Sequence, residues 1–576
     1  MNTILSDKGH FIVLILVLLI GLFLAIYLYS SLDKYSLLYY NDAVSHLVRA
    51  RQFVDSMYPG LLPQIGTGWL PLPHLLLLPF SLIDPLFKTG FAGLVISLPS
   101  FAITAVLLYR IIKTQVGISY IAIIGAFLYA SNPNIIYLGI TAMTEAPFML
   151  FFVVSTYYFQ RWWHCWWWWR SGWSHHSSSE YLDLKNPNNN ISQKKGGAWS
   201  EPTYLTQQLR NLIKCSIFIS LATLCRYEGW IIPIFLVVFV IIVVAAPITR
   251  NRHHHYSVKY KASMILISVL SFSGIAIWLI YNAYYYGDPL KFLNAPYWSA
   301  ASQAIIGVNR SNLYLQPLNV ASIYTITALA MYGPTLLLIA SVAIVGYIFH
   351  THFGIKIAAE EKRNYSSSIL YIFLALPAVI TIFSMIIGIG EMNKQWFNSR
   401  FLILIGPLII LLASVLIIKL RERIGKNHFI LATIIGGLFI YQFATLAFGI
   451  VVTFLDARQQ MIFSAARPFA IKAAEALSAR YNGGLILIIT GSAQQNNIMQ
   501  QSGIPLRNFD TILEGDTWKD SFKEPWLHAK YIIISKKADP SAANVAKYWL
   551  DRQEEELNKY FDIVYEDKYY GIMVHK

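Results

Sequence analysis

Residues 11–29 of this chain read FIVLILVLLIGLFLAIYLY, and residues 39–46 read YYNDAVSH. The first stretch carries no charge and is long enough to cross a bilayer as a helix, so we expect a retained membrane anchor. The second stretch places Asp42 within about a dozen residues of that anchor. A carboxylate so close to a membrane surface is kept mainly where it binds or reacts with something. Asp42 is therefore the first candidate functional residue.

The composition indicates a polytopic membrane protein. Of the 576 residues, 56% are hydrophobic and 13% are charged, and the mean hydropathy is +0.49. A soluble domain seldom has these values. The 3 cysteines are odd in number and lack metal-ligand spacing, so they predict neither a disulfide framework nor a zinc site.

The charge distribution describes membrane topology. The net charge of +15 is concentrated in the segments 161–214, 248–262 and 419–426, which alternate as cytoplasmic loops under the positive-inside rule. This pattern argues against nucleic acid as a partner. The candidate spans are 11–29, 91–109, 117–133, 144–160, 212–227, 230–247, 263–283, 321–349, 368–389, 401–418 and 428–454.

A further apolar run, 71–87, sets the count of crossings. It is short and contains Pro71, Pro73 and Pro79, which favours a re-entrant or interfacial segment over a full crossing. We predict an all-α polytopic protein of the cell membrane with eleven crossings, or twelve if this run spans. Its N-terminus would be cytoplasmic and its C-terminus outside. The first outer loop would be 31–90, and 161–211 would be a polar cytoplasmic loop, of which 171–203 is predicted to be disordered.

With this topology, polar residues at the ends of separate spans gather on the outer face. Such a rim above an apolar body suits a substrate with a polar head and a lipid tail. The candidate residues are Asp42, His46, Glu145, Arg226, Glu228, Asp288, Lys291 and Arg400.

Six of these residues also have a structural interpretation. Asp42 could simply be the N-cap of a helix 43–57, and Glu145 could cap its own span. His46 lies one helical turn after Asp42, where it could orient a phosphate or be a solvated interfacial histidine. Arg226 and Glu228 could form a local ion pair. Arg400 could be a snorkelling residue at a span end.

The order of several short motifs resembles the GT-C superfamily of integral-membrane glycosyltransferases. None of these motifs is specific alone, but together they cover most of residues 1–420. They are the Asn41-Asp42-Ala43 element, Gly66–His74, Asn132-Pro133 through Met143–Pro147, Cys225–Trp230, Tyr286–Leu290 and Ser399–Leu402.

The resemblance implies an enzyme that takes a sugar from a polyprenyl-phosphate donor, with Asp42 as catalytic base and Glu145 as a second acidic residue. Protein mannosyltransferases usually have an Asp-Glu pair at the first of these motifs, whereas here Asp42 stands alone before Ala43. It also lacks the Trp-Trp-Asp-Tyr-Gly motif of oligosaccharyltransferases. Transfer of a single sugar to a hydroxyl of a glycan, lipid or protein is therefore favoured, with inversion at the anomeric carbon. No cofactor is firmly implied, and a divalent cation (Mg²⁺ or Mn²⁺) is left open.

Residues 460–576 are predicted to form a small α/β domain outside the membrane, following a transmembrane module of residues 1–455. The helix predictions are 466–481 and 541–558, and the strand predictions are Leu485–Thr490, Tyr531–Ser535, Phe561–Tyr565 and Ile572–Val574. A lipid-linked-sugar flippase or transporter remains the rival function. Such proteins usually show repeated halves and charges at the midplane, neither of which is found here.

Overall fold

The structure is a computed structural model that describes residues 8–171, 201–245, 257–294, 317–352, 361–386, 399–424, 428–463, 467–489, 492–511, 521, 523–536 and 555–576. The predicted disordered segment and the predicted helix 541–558 fall largely outside these residues. Helices dominate the chain up to residue 480, and a five-stranded sheet follows. The predicted fold class, an all-α membrane protein with a small C-terminal α/β part, is confirmed.

The helices are numbered in chain order. They are α1 (Lys8–Tyr27), α2 (Asn41–Gln52), α3 (Leu61–Ile65), α4 (Leu72–Ser81), α5 (Asp84–Thr89), α6 (Phe91–Val116), α7 (Ser119–Ala130), α8 (Pro133–Gly139), α9 (Glu145–Ser171), α10 (Glu201–Thr223), α11 (Ile231–Ala245), α12 (Val258–Val269), α13 (Ser273–Tyr286), α14 (Lys291–Asn294), α15 (Pro317–Tyr332), α16 (Pro334–His352), α17 (Glu361–Ile386), α18 (Gly406–Ile424), α19 (His428–Ala447), α20 (Val452–Phe463), α21 (Arg467–Arg480), α22 (Ser492–Ser502) and α23 (Pro525–His528).

Each of the eleven predicted spans coincides with described helix. In the described part of the chain, 7 helical stretches are long and apolar enough to cross a membrane, and the bent pairs α7–α8 and α15–α16 raise this to 9. The remaining two predicted spans lie in α9 and α10. Both helices extend into the region predicted as the loop 161–211, so the ends of that segment are helical.

The apolar run 71–87 forms two short helices, α4 and α5. Helix α4 has 10 residues and therefore rises about 15 Å, roughly half the thickness of the hydrocarbon core. This run cannot supply a twelfth full crossing, which agrees with the favoured count of eleven.

Amide side chains close the breaks in the two bent pairs, whose helices meet at 69° and 117°. Asn132 and Asn134 lie at the α7–α8 break, and their Nδ2 atoms donate to the Met331 carbonyl at 3.0 and 3.2 Å. Met331 precedes the second break, where Gly333 has a φ of +83°. In a membrane, non-helical backbone is tolerated only where protein or water satisfies it. Polar groups at one break therefore form hydrogen bonds with polar groups at the other.

The C-terminal sheet has the strands β1 (Ile486–Ile489), β2 (Phe509–Asp510), β3 (Tyr531–Ser535), β4 (Phe561–Glu566) and β5 (Tyr570–His575). Their order is β2-β1-β3-β5-β4, with β2, β1 and β3 parallel and the other pairs antiparallel. Four strands and helix α21 were predicted, whereas the two-residue strand β2 was missed. One face of the sheet is covered by a cluster of apolar side chains: Leu487, Ile489, Ala529, Ile532, Ile534, Leu557, Phe561 and Met573.

The chain divides into two compact units. The first comprises Met1–Leu22, Leu98–Gly139 and Thr144–Thr453, and the second comprises Phe23–Ser97, Ile140–Met143 and Phe454–Lys576. The second unit thus joins most of the predicted first outer loop to the C-terminal α/β part. The division into domains 1–455 and 460–576 remains a prediction.

Candidate active site

Asp42 lies in the first turn of α2, in the second unit. The N-cap of this helix is Tyr40, with φ −69° and ψ 126°, and it makes no side-chain capping bond. The interpretation of Asp42 as the N-cap is therefore wrong, and the helix spans Asn41–Gln52 rather than the predicted 43–57. A carboxylate in the first turn faces the positive end of the helix dipole, which favours its charged form. A general base needs that form.

His46 is buried, with only 3% of its surface exposed. Of the two interpretations of His46, the solvated interfacial histidine is therefore wrong. Its Nδ1 lies 2.9 Å from Nε2 of His74 in α4, so one ring donates a hydrogen bond to the other. The Trp69 ring packs against His46 at a centroid distance of 4.5 Å. Burial, followed by the nearby His46 and Arg49, holds the pKa of His74 well below its usual range.

Glu145, Arg226, Glu228 and Arg400 form one ionic cluster in the first unit, here called the Glu145 cluster. Arg226 Nη1 donates to Glu145 Oε1 at 2.8 Å, and Arg226 Nη2 donates to Glu228 Oε1 at 2.6 Å. Glu145 opens α9 and its side chain has no solvent exposure. Two guanidinium groups and two carboxylates balance the charge of this cluster. The sequence suggested the Arg226–Glu228 pair but not its link to Glu145.

Arg400 approaches the same carboxylate less closely. Its Nε lies 3.7 Å from Glu145 Oε1, which is within ion-pair range but too long for a hydrogen bond. Arg226 and Arg400 both lie over the Phe401 ring, with guanidinium carbons 5.0 and 5.3 Å from its centroid. The second carboxylate oxygen, Glu145 Oε2, is buried with no hydrogen-bond partner among the described residues.

Asp288 and Lys291 lie in a turn at the end of α13, in the same unit. Asp288 Oδ1 accepts a hydrogen bond from the Leu290 amide at 2.9 Å, so its carboxylate organises this turn. The Phe292 ring stacks on Tyr227 at 5.4 Å, which brings α14 next to the residue that follows Arg226. Within the described ranges, no ion pair joins Asp288 or Lys291 to the Glu145 cluster.

Three contacts around Asp42 were missed by sequence reasoning. Tyr40 donates its hydroxyl hydrogen to Asp456 Oδ2 at 3.1 Å, and the Arg467 guanidinium donates to the Tyr39 carbonyl at 2.8 Å. The third is the histidine pair, of which His74 lay inside a quoted motif. Arg467 and Asp456 had no distinguishing local signal, because each is one of several charged residues in an ordinary helical segment.

No group of three or more His, Cys, Asp or Glu side chains suited to a metal ion is found among the described residues.

Comparisons with known proteins identify solved structures that share this fold. No protein-family model and no curated protein matches the sequence. The structure of ArnT from Cupriavidus metallidurans bound to undecaprenyl phosphate matches with a TM-score of 0.52 and 10% identity, over 99% of this chain and 98% of that one. This chain has the fold of ArnT. The oligosaccharyltransferase of Archaeoglobus fulgidus matches at a TM-score of 0.46 and 13% identity, over 94% of this chain and 71% of that one.

The match extends over nearly the whole length of both chains, so the shared fold includes the C-terminal part. It confirms the GT-C fold that the motif order implied. At this level of identity the match establishes the fold, and the roles of individual residues have to be argued from their chemistry.

Proposed function

We propose that this protein transfers a single sugar from a polyprenyl-phosphate donor to a hydroxyl of a glycan, lipid or protein acceptor. The observation that carries the proposal is the shared fold with ArnT, whose structure holds undecaprenyl phosphate, over 99% of this chain. The motif order of residues 1–420 supports the proposal independently, because this order depends on the sequence alone.

Asp42 is assigned as the catalytic base. The acceptor oxygen attacks the anomeric carbon, the bond from that carbon to the phosphate oxygen breaks, and Asp42 takes the acceptor proton. Polyprenyl phosphate leaves as an anion and needs no protein acid. Attack opposite the leaving group inverts the anomeric centre. The half-buried position of Asp42 in a helix first turn suits this role.

Arg400 is assigned as the main contact of the donor phosphate. Arg226 is held by two carboxylates at 2.8 and 2.6 Å, and Arg400 lies just before the predicted span 401–418, where the phosphate of a membrane-embedded carrier would sit. A guanidinium stabilises the negative charge that develops on a leaving phosphate by charge-assisted hydrogen bonds. Glu145 would then orient both arginines. His46, Glu228, Asp288 and Lys291 are assigned supporting roles in binding the substrate.

The chemistry is assigned to the outer face of the cell membrane. This assignment rests on the distribution of Lys and Arg, which predicts a cytoplasmic N-terminus and places residues 460–576 outside. Single-sugar transfer is favoured over transfer of a whole oligosaccharide because the chain lacks the Trp-Trp-Asp-Tyr-Gly motif.

A flippase or transporter for lipid-linked sugars is the second candidate, and the two broken spans favour it. Discontinuous helices commonly mark the transport site of transporters. Here the breaks are closed by amide side chains, which is sufficient to explain how the membrane tolerates them. Bond cleavage separates the two functions, because only a transferase releases free polyprenyl phosphate.

The test uses the purified full-length chain in liposomes with a panel of radiolabelled polyprenyl-phosphate sugars and a lipid and glycan extract as acceptor. We expect the wild type to release polyprenyl phosphate and to label an extractable product. Asp42→Asn should bind undecaprenyl phosphate normally but turn over about 10²–10⁴-fold more slowly, since this is the usual contribution of a positioned base. Movement of intact donor across the bilayer without cleavage would favour the flippase. Parallel assays with EDTA and with added Mg²⁺ or Mn²⁺ measure the contribution of a cation.

A further inference from the structure

The backbone just before Asp42 is held by side chains from more than 400 residues later in the chain. Arg467, only 1% exposed, donates from Nη1 to the Tyr39 carbonyl at 2.8 Å and from Nη2 to the Leu38 carbonyl. The Tyr40 hydroxyl donates to Asp456 Oδ2 at 3.1 Å. All these groups belong to the second unit. Three consecutive residues before Asn41 and Asp42 are therefore fixed from α20 and α21.

A second set of contacts holds the helix after Asp42. Asn496 Nδ2 in α22 donates to Ser45 Oγ at 2.9 Å, with both side chains buried. At the end of α2, the Asp55 carboxylate accepts from the backbone amides of Leu506 and Arg507 at 3.0 and 3.3 Å. Ser45 and Tyr39 lie three residues on either side of Asp42. The Asp42 carboxylate thus projects from a backbone segment that is fixed at both ends.

The burial of Arg467 indicates that this arrangement is specific. A buried guanidinium costs free energy unless it is hydrogen-bonded, and here two backbone carbonyls accept from its Nη1 and Nη2 atoms. The chain from Ser36 to Leu38 is a short 3₁₀ helix and Tyr40 is extended, so this region lacks a regular helical ladder. Arg467 and Asp456 therefore add long-range contacts to a backbone path that is otherwise held by local ones, such as the bond from the Tyr39 hydroxyl to Asp33 at 2.9 Å.

We propose that Arg467 and Asn496 are positioning residues for Asp42, so that the C-terminal part of the chain sets the rate of the chemical step. This inference rests on the proposed function. A base displaced by about 1 Å can lose ~100-fold in rate, while the donor contacts remain. The predicted signature is a fall in kcat with little change in the KM of the donor.

The decisive variants are Arg467→Lys and Asn496→Ala. Lysine keeps the charge of Arg467 but cannot reach two carbonyls with a planar fork. The matched control is Arg480→Lys, at the opposite end of α21, where the arginine side chain donates, among the described residues, only to the Ala476 carbonyl of its own helix at 3.0 Å. We expect kcat per donor-binding site to fall at least tenfold in Arg467→Lys and severalfold in Asn496→Ala. Arg480→Lys should match the wild type.

Two further measurements test the positioning role, and the second of them does not depend on turnover. Ser45→Ala combined with Asn496→Ala should lower kcat no more than either single change, because both remove the same hydrogen bond. Hydrogen–deuterium exchange of the amides of residues 41–47 should accelerate in Arg467→Lys and Asn496→Ala but not in Arg480→Lys. This second readout requires no substrate.

The outcomes separate the two proposals. A wild-type protein that cleaves no donor, while its exchange pattern responds to Arg467→Lys as expected, would overturn the transferase assignment and leave the positioning contacts established. An active wild type whose kcat and exchange rates are unchanged by Arg467→Lys and Asn496→Ala would overturn the positioning role alone. A loss confined to the acceptor KM would also overturn it, and would assign the C-terminal part to acceptor binding.

Discussion

Arg226 Nη1 donates to Glu145 Oε1 at 2.8 Å, although the two residues lie 81 positions apart and Glu145 is fully buried. The Arg226 guanidinium is also paired with Glu228. The cluster is therefore a fixed pair of cations held in place by two anions, which is a suitable framework for binding a phosphate.

Glu145→Gln should destabilise the protein strongly. The change leaves two buried guanidinium groups with one carboxylate, and breaking a buried ion pair costs about 3–5 kcal/mol. Thermal unfolding in detergent should show a much lower midpoint. Asp562→Asn, which removes a surface contact with Lys576 at 3.7 Å, is the control and should cost at most about 1 kcal/mol. Adding Arg226→Met to Glu145→Gln should recover part of the loss, and a further decrease would contradict the charge-balance explanation.

Arg400→Ala should raise the KM of the donor about 10- to 100-fold, the equivalent of one or two charge-assisted hydrogen bonds. Arg400→Lys should recover only part of this, since the bidentate geometry is lost. The control is Arg421→Ala, at the far end of the following helix α18, where the guanidinium lies over Tyr120 at 5.5 Å. Steady-state kinetics with donor titration give the values. An unchanged KM in Arg400→Ala would remove this residue from the donor site.

The His46–His74 pair should make stability fall in acid. Burial lowers the pKa of His74 well below 6.5, so the unfolded chain takes up a proton at a higher pH than the folded chain. This contribution is complete above about pH 6.5 and is lost progressively as the pH falls below it. His74→Gln should flatten the decline of the unfolding midpoint between about pH 6.5 and 5. A decline as steep as that of the wild type would refute the prediction.

Asn134→Ala should weaken the break between α7 and α8. The Asn134 amide donates to the Met331 carbonyl at 3.2 Å, and its Oδ1 accepts from the Thr453 amide at 3.1 Å. Asn132 still donates to the Met331 carbonyl in this variant, so the loss falls mainly on the buried Thr453 amide. Removing the acceptor of that amide should cost about 1–3 kcal/mol, which thermal unfolding can measure. Thr433→Ala is the control, because this exposed hydroxyl donates only to a carbonyl of its own helix. Equal midpoints for both variants would show that the break needs no amide.

Part of the candidate site followed from sequence. The alternation of apolar spans with basic loops put Glu145, Arg226 and Arg400 at span ends, and the structure joins these three into one cluster. The position of Asp42 after the first span was equally clear, but its place in the first turn of α2 rather than at the cap was not. The sequence left open whether His46 is solvated, because Trp69 and His74, which pack against it, are distant in sequence.

The sequence by itself determined the membrane class, the eleven helical segments, four of the five strands and the order of the motifs. Hydropathy and β-propensity are local properties, so a window of neighbouring residues is enough to detect them. Only the tertiary structure decided that Arg467 binds the carbonyls of Leu38 and Tyr39, that Asn134 closes a helix break, and that Phe509–Asp510 adds a strand beside Ile486 and Leu487. A hydrogen bond between residues hundreds of positions apart depends on which elements pack together, and no local pattern in either segment specifies its partner.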